Sequence, residues 1–238
     1  MTRHLALPSK GTLFLLVLVL AWDVSGLDLP VAALSADAGG FYLRANWFLI
    51  NVLHEAARFI SWAAVAVLLV AVFRPFGPLR QISRLRRVQF LASVVLSVSA
   101  VTLIKHFSRT SCPWDLREFG GMAQYVSHWA WGTSDGGPGR CFPGGHASAA
   151  FAWLGGYFAL RHGAESAARR WLLLVAPLGL VLGVAQQLRG AHYTSHTLWT
   201  ALICWTAGWA MDALFTAFAA RRSHPTVAAT PEAVSVRP

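Results

Sequence analysis

Six runs of mostly apolar residues recur along the chain, at about 11–28, 47–73, 88–107, 146–161, 171–188 and 197–219. Most are close to the roughly 20 residues that carry a helix across the ~30 Å hydrocarbon core of a bilayer. Backbone groups in that core must bond within their own segment, as they do in a helix. The expected fold is therefore all-α, a polytopic membrane helical bundle with about six transmembrane helices. Composition agrees: 55% of the 238 residues are hydrophobic and 13% are charged, against about 25% charged in a soluble domain. The fourth run is short, so its first turn is expected inside a polar cavity. The N-terminal "MTRHLALPSKGTLFLLVLVLAW" imitates a signal peptide, with a basic start and an apolar run. No small-x-small cleavage site follows closely, and it reads as a retained signal-anchor helix.

The formal net charge is +10. A basic chain can serve nucleic acid, but here the arginines cluster beside apolar runs, as the positive-inside rule describes. No nucleic-acid partner is expected. The basic segments "RPFGPLRQISRLRR" (74–87), "RHGAESAARR" (161–170) and "ARRSHP" (220–225) join the N-terminus on one side when six spans are crossed. That side is expected to be the cytoplasm, with both termini on it. Residues 1–222 read as one transmembrane domain, and 223–238 as a polar, Pro-interrupted, disordered tail.

The connections 29–46, 108–145 and 189–196 then face outward. At or near that face stand Lys105, Arg109, Arg117, Arg140 and Arg189, cations on the side that normally avoids them. A bound anion is a reason for them. Three segments reach that face: "KHFSRTSCPWDL" (105–116), "RCFPGGHAS" (140–148) and "QQLRGAHYTSH" (186–196). Lys105 and Arg109 share a helical face if the third helix continues that far. His192 stands three residues after Arg189 and four before His196. Gly144 and Gly145 are expected to leave backbone amides open at the N-terminus of the fourth helix, where the helix dipole favours anions. Phosphate fits such a site, since cations and backbone donors can surround its oxygens. One histidine can attack phosphorus while a second protonates the leaving oxygen. The spacing of His192 and His196 is also ligand-like, but no Cys or carboxylate pattern completes a metal site, and no cofactor is expected.

These segments resemble the type 2 phosphatidic acid phosphatase (PAP2) superfamily. Its pattern is Lys, six residues, Arg-Pro; then Pro-Ser-Gly-His; then Ser-Arg, five residues, His, three residues, Asp. Here Lys105 is followed by six residues and Cys112-Pro113. Pro143-Gly144-Gly145-His146 matches the second part with Gly for Ser, and three residues separate His192 from His196. Cys112, Gln186 and His196 replace the pattern's Arg, Arg and Asp.

The resemblance implies a PAP2-like bundle and an integral membrane phosphatase acting on a lipid phosphate monoester or diphosphate. In that reading His192 is the nucleophile that forms a phosphohistidine. His146 is general acid and then base, and His196 orients His192 by accepting a hydrogen bond from its ring. Lys105 holds phosphate oxygens with the backbone of Gly144 and Gly145, and Arg189, Arg109 and Arg140 restore the lost cations. The motifs converge in the implied fold, so Cys112 and Cys141 are expected to form a disulfide on the oxidising side. The partners are membrane lipids and a lipid phosphate substrate. The localisation is the bacterial inner membrane with a periplasmic active site. Lipid-to-lipid phosphotransfer through the same residues stays open, as does a degenerate lipid-binding member. His54, Glu55 and Arg58 are expected to turn one polar face toward the bundle. Trp114, Trp129 and Trp131 read as an interfacial aromatic belt.

Overall fold

A computed structural model describes residues 3–223 of the chain, with side chains from 10 to 222. All six apolar runs fall on helices. α1 (Arg3–Ser25) carries the first. A short helix, α2 (Asp28–Ala33), precedes a two-residue hairpin of β1 (Ala36–Asp37) and β2 (Gly40–Phe41). The second run begins as a π-helix, Phe48–Ala56, and continues as α3 (Ala57–Phe73). The third is α4 (Arg84–Phe107). The fourth runs continuously as α5 (Ser148–Phe151), a tighter 3-10 stretch at Ala152–Leu154 and α6 (Gly155–Leu160). The last two are α7 (Glu165–Leu188) and α8 (Thr194–Ser223). Among the described residues four helices are long and apolar enough to cross a membrane, and Ser148–Leu160 is a shorter apolar one. The expected tail lies almost wholly outside the described residues.

Two boundaries differ from expectation for a physical reason. α4 and α7 start before their apolar runs, at Arg84 and Glu165. Arginine stems can lie along an apolar helix surface while their heads remain outside it, so a helix need not stop where its hydropathy does. Ser83 caps α4 by accepting from the Arg86 amide at 3.3 Å.

The interior of the bundle is built by α4, the α5–α6 segment, α7 and α8, around Phe90, Phe151, Trp153, Phe158 and Trp205. Two glycines permit the close approach. A Cβ on Gly155 would strike Ser93 of α4, and one on Gly183 would strike Thr197 of α8. One end of the bundle is fastened by buried Asp212, which meets Arg161 at 3.0 Å, Arg86 at 3.3 Å, His162 at 2.6 Å and Gln89 at 3.0 Å. The other end carries a small cap. Ala32, Phe41, Leu116, Phe119, Ala123 and Tyr193 form a separate buried cluster there. Asp28, just after α1, accepts from the Ser195 amide at 3.0 Å and also bonds the Ser195 hydroxyl. It thus satisfies the first turn of α8 from the far end of the sequence. Asp23 accepts from the indoles of Trp129 at 3.0 Å and Trp199 at 2.9 Å. The cap therefore fixes the loop that leads into α8.

Candidate functional site

The site lies at the capped end, in the loops that leave α4 and enter α5 and α8. His192 occupies the turn between α7 and α8, held by the Ala191 amide donating to Gln186 O at 2.9 Å. His146 sits in the turn ahead of α5 and not on the helix itself. His146 Nδ1 and His192 Nε2 face each other at 3.2 Å. Lys105, in the last turn of α4, runs alongside, with its stem beside Gly145. His192 is 3% exposed, and burial first, then His146 and Lys105, holds its pKa well below the ordinary 6.5. Burial, followed by His54, Lys105, Arg189 and Arg58, pushes His146 down to about 3. Both imidazoles are neutral at neutral pH.

Cys112 and Cys141 are joined in a disulfide. Cys141 is fully buried, and its Sγ stands 3.5 Å from His192 Nδ1 and 3.1 Å from the Ala191 carbonyl. Cys112, Cys141 and His192 also form a cluster with metal-ligand potential. The disulfide removes both thiolates that such a site would need.

Several expected roles change in the structure. Gly144 does not offer its amide to an anion, because that amide donates to the His196 carbonyl at 3.1 Å. Its lack of a side chain is what lets the loop press on α8. Arg109 does not share a helical face with Lys105. α4 ends at Phe107, and Ser108 turns extended, with ψ at 130°. The Arg109 guanidinium donates instead to the Gly132 carbonyl at 3.1 Å, in a groove bounded by Phe107, His128 and Trp131. Arg140 is exposed on its loop, outside the cavity that His146 lines. His196 is buried near His192, ring centroids 5.7 Å apart, but its Nδ1 has no hydrogen-bond partner and no hydrogen bond joins the two rings. It packs instead edge-on to Tyr193 and Phe142.

Arg189 is better placed. It donates to Gln186 Oε1 at 2.9 Å and to the Arg44 carbonyl at 3.2 Å, over the Trp114 ring. Gln186 stands where the motif carries Arg, and the amide there anchors the arginine three residues on. Burial lowers the Arg189 pKa. Asp115 accepts from the Cys112 amide at 3.2 Å, a local cap.

The motifs did not single out His54 as a site residue. The π-helical turn brings its ring to 4.1 Å from that of His146, centroid to centroid. Nδ1 of His54 lies 2.8 Å from Glu55 Oε1. Glu55 in turn pairs with Arg58 at 2.7 Å. His54, Arg58, Gly145 and His146 form the polar rim of a 210 Å³ cavity. Trp62, Val65, Val94 and Val98 continue it as an apolar wall between α3 and α4. The signal was present in "HEAARF", whose polar face is unusual inside an apolar run.

Compared with known proteins, residues 86–220 match the family model of the PAP2 superfamily, more than half of the chain. No curated protein and no solved structure matches the chain. The matched stretch spans Lys105, His146 and His192.

Proposed function

The chain belongs to the PAP2 superfamily, and from that membership we propose that it is an integral membrane phosphatase cleaving the phosphate ester or diphosphate of a lipid through a phosphohistidine. The observation that carries the reading is the His146–His192 pair, 3.2 Å apart beside Lys105. The His146 ring lines a cavity that is polar at its rim and apolar along its wall. An amphiphile matches that gradient, with phosphate at the rim and its chain along α3 and α4. Phosphatidate, phosphatidylglycerophosphate, isoprenyl phosphates and lipid A phosphates share this chemistry.

His192 Nε2 attacks phosphorus, an N–P bond forms, and the bond from phosphorus to the lipid oxygen breaks. His146 delivers a proton to that oxygen. It then takes a proton from water, which attacks phosphorus, breaks the N–P bond and releases phosphate. An in-line displacement places phosphorus between nucleophile and leaving oxygen. The direct contact between the two rings must therefore open when substrate binds. The neutral state of His192 suits a nucleophile. His146 is held deprotonated by burial and nearby cations, and an incoming phosphate dianion opposes that field and raises its proton affinity. Lys105 and Arg189 neutralise the phosphoryl oxygens.

The outer, periplasmic face is the proposed location of the site. The Cys112–Cys141 disulfide supports it, since such bonds persist in oxidising compartments. Arg84, Arg86, Arg87, Arg169, Arg170 and Arg221, toward the opposite end, fit a cytoplasmic face.

The test is phosphate release by detergent-purified protein from a panel of lipid phosphates. His192→Ala is expected to lose activity by roughly three orders of magnitude or more. His146→Ala is expected to lose about 100- to 10,000-fold, the usual share of general acid–base catalysis. Turnover that survives His192→Ala unchanged would sink the mechanism. Label passing between lipids without phosphate release would mark a transferase.

A further inference from the structure

A nucleophilic imidazole must present a bare ring nitrogen, so its other nitrogen must hold the proton against an acceptor. In this chain the carboxylate that would accept is replaced by His196, which makes no hydrogen bond to His192 and whose Nδ1 is unpartnered. What faces Nδ1 of His192 is Cys141 Sγ, at 3.5 Å, fully buried. The Cys141 main-chain carbonyl also accepts from the His192 ring, and from that of His196. On the other side of the ring, Nε2 faces His146. Cys141 is in turn held from two directions. The disulfide ties it to Cys112, and its amide donates to the Thr110 carbonyl at 2.9 Å.

A half-cystine sulfur carries no proton, so toward Nδ1 it can only accept. A free thiol at the same place can donate. We propose that the Cys112–Cys141 disulfide is the positioning group of His192: in its oxidised form it fixes the tautomer with the proton on Nδ1 and leaves Nε2 bare to attack phosphorus. This rests on the proposed function for the identity of the attacked group. Reduction by a thiol or phosphine breaks the S–S bond, adds a proton to each sulfur and leaves two thiols. The Cys141 thiol can then donate to Nδ1, which puts the ring proton on Nε2 and disables the nucleophile. Catalysis and the redox state of the outer compartment are thereby linked through one ring nitrogen.

The test uses the full chain, purified without reductant. kcat and KM are measured on a short-chain phosphatidate before reduction, after reduction verified by a mass shift, and after reoxidation. In parallel, diethyl pyrocarbonate labelling of His192 is followed by peptide mass, which reads its bare nitrogen without requiring activity. Reduction is expected to lower kcat about 10- to 100-fold, the range seen when an orienting partner of a functional histidine is lost. KM is expected to stay within about twofold, the labelling rate to fall, and reoxidation to restore all three. Cys112→Ala, which leaves a thiol at Cys141, should reproduce the reduced state. Equal kcat and equal labelling in the oxidised and reduced forms would overturn the proposal. So would loss of activity that tracks loss of thermal stability with His192 labelling unchanged, since that describes a staple and not a positioning group. Should oxidised protein release phosphate from no lipid, the proposed function fails, and the labelling still decides the role of the disulfide.

Discussion

At the scale of single residues, His54 distinguishes this site from its motifs. Its ring lies 4.1 Å from that of His146, on the cavity rim with Arg58. His54→Ala should lower kcat/KM about tenfold, equivalent to roughly 1.4 kcal/mol of transition-state stabilisation. Steady-state kinetics on a short-chain lipid phosphate reads this, and an unchanged ratio would make His54 a packing residue. Lys105, His146 and His192 were legible in the sequence because their chemistry is tied to fixed spacings within short segments. For His54 only the polar face toward the bundle was legible, because its contact with His146 is tertiary and spans more than 90 residues. The orienting role given to His196 came from a position in a pattern, whereas an orienting bond depends on ring direction, which spacing does not encode. The shared face of Lys105 and Arg109 depended on the third helix continuing, and its end is likewise not encoded in the spacing. An i, i+4 relation holds only inside a helix, and the helix stops at Phe107.

At the scale of elements, hydropathy located the long apolar helices, because a bilayer leaves little choice of backbone structure, but not the short α2 in the connection that follows the first of them. It did not reveal how helices are wound or joined. The π-helical start of the second run and the 3-10 winding at Ala152–Leu154 leave no trace in hydropathy, and the cap at the site end arises from packing between residues distant in sequence. Asp28 illustrates the join, since it serves the first turn of α8, next to the turn that carries His192. Asp28→Ala should destabilise the protein by about 1–2 kcal/mol, the usual cost of a lost helix cap. It should also lower kcat, because His192 lies two residues before that helix. Thermal unfolding in detergent together with kinetics checks both, and a stability loss with unaltered kcat would separate the cap from the site.

At the scale of the whole molecule, the buried imidazoles set a pH limit on stability. His146 and His192 both bind protons more weakly in the folded chain than the ordinary 6.5 of an unfolded histidine. Below that pH the unfolded chain takes up more protons, so stability falls as pH drops from about 6.5 toward the folded values. Above it these two groups contribute no slope. The unfolding midpoint is expected to be lower at pH 5 than at pH 7.5, and His146→Gln and His192→Gln should each flatten the difference. An identical slope in all three proteins would assign the acid sensitivity elsewhere.

The bond between Asp28 and Ser195 spans 167 residues. During synthesis, at about 5–20 residues per second, Asp28 emerges roughly ten to thirty seconds before its partner exists. Until then a carboxylate meant for a buried position must remain wetted at the membrane surface. The first helix and its acidic neighbour therefore wait for the last helix, and the loop bearing His192 closes only as biosynthesis ends. The cell makes the scaffold first and arms the site last.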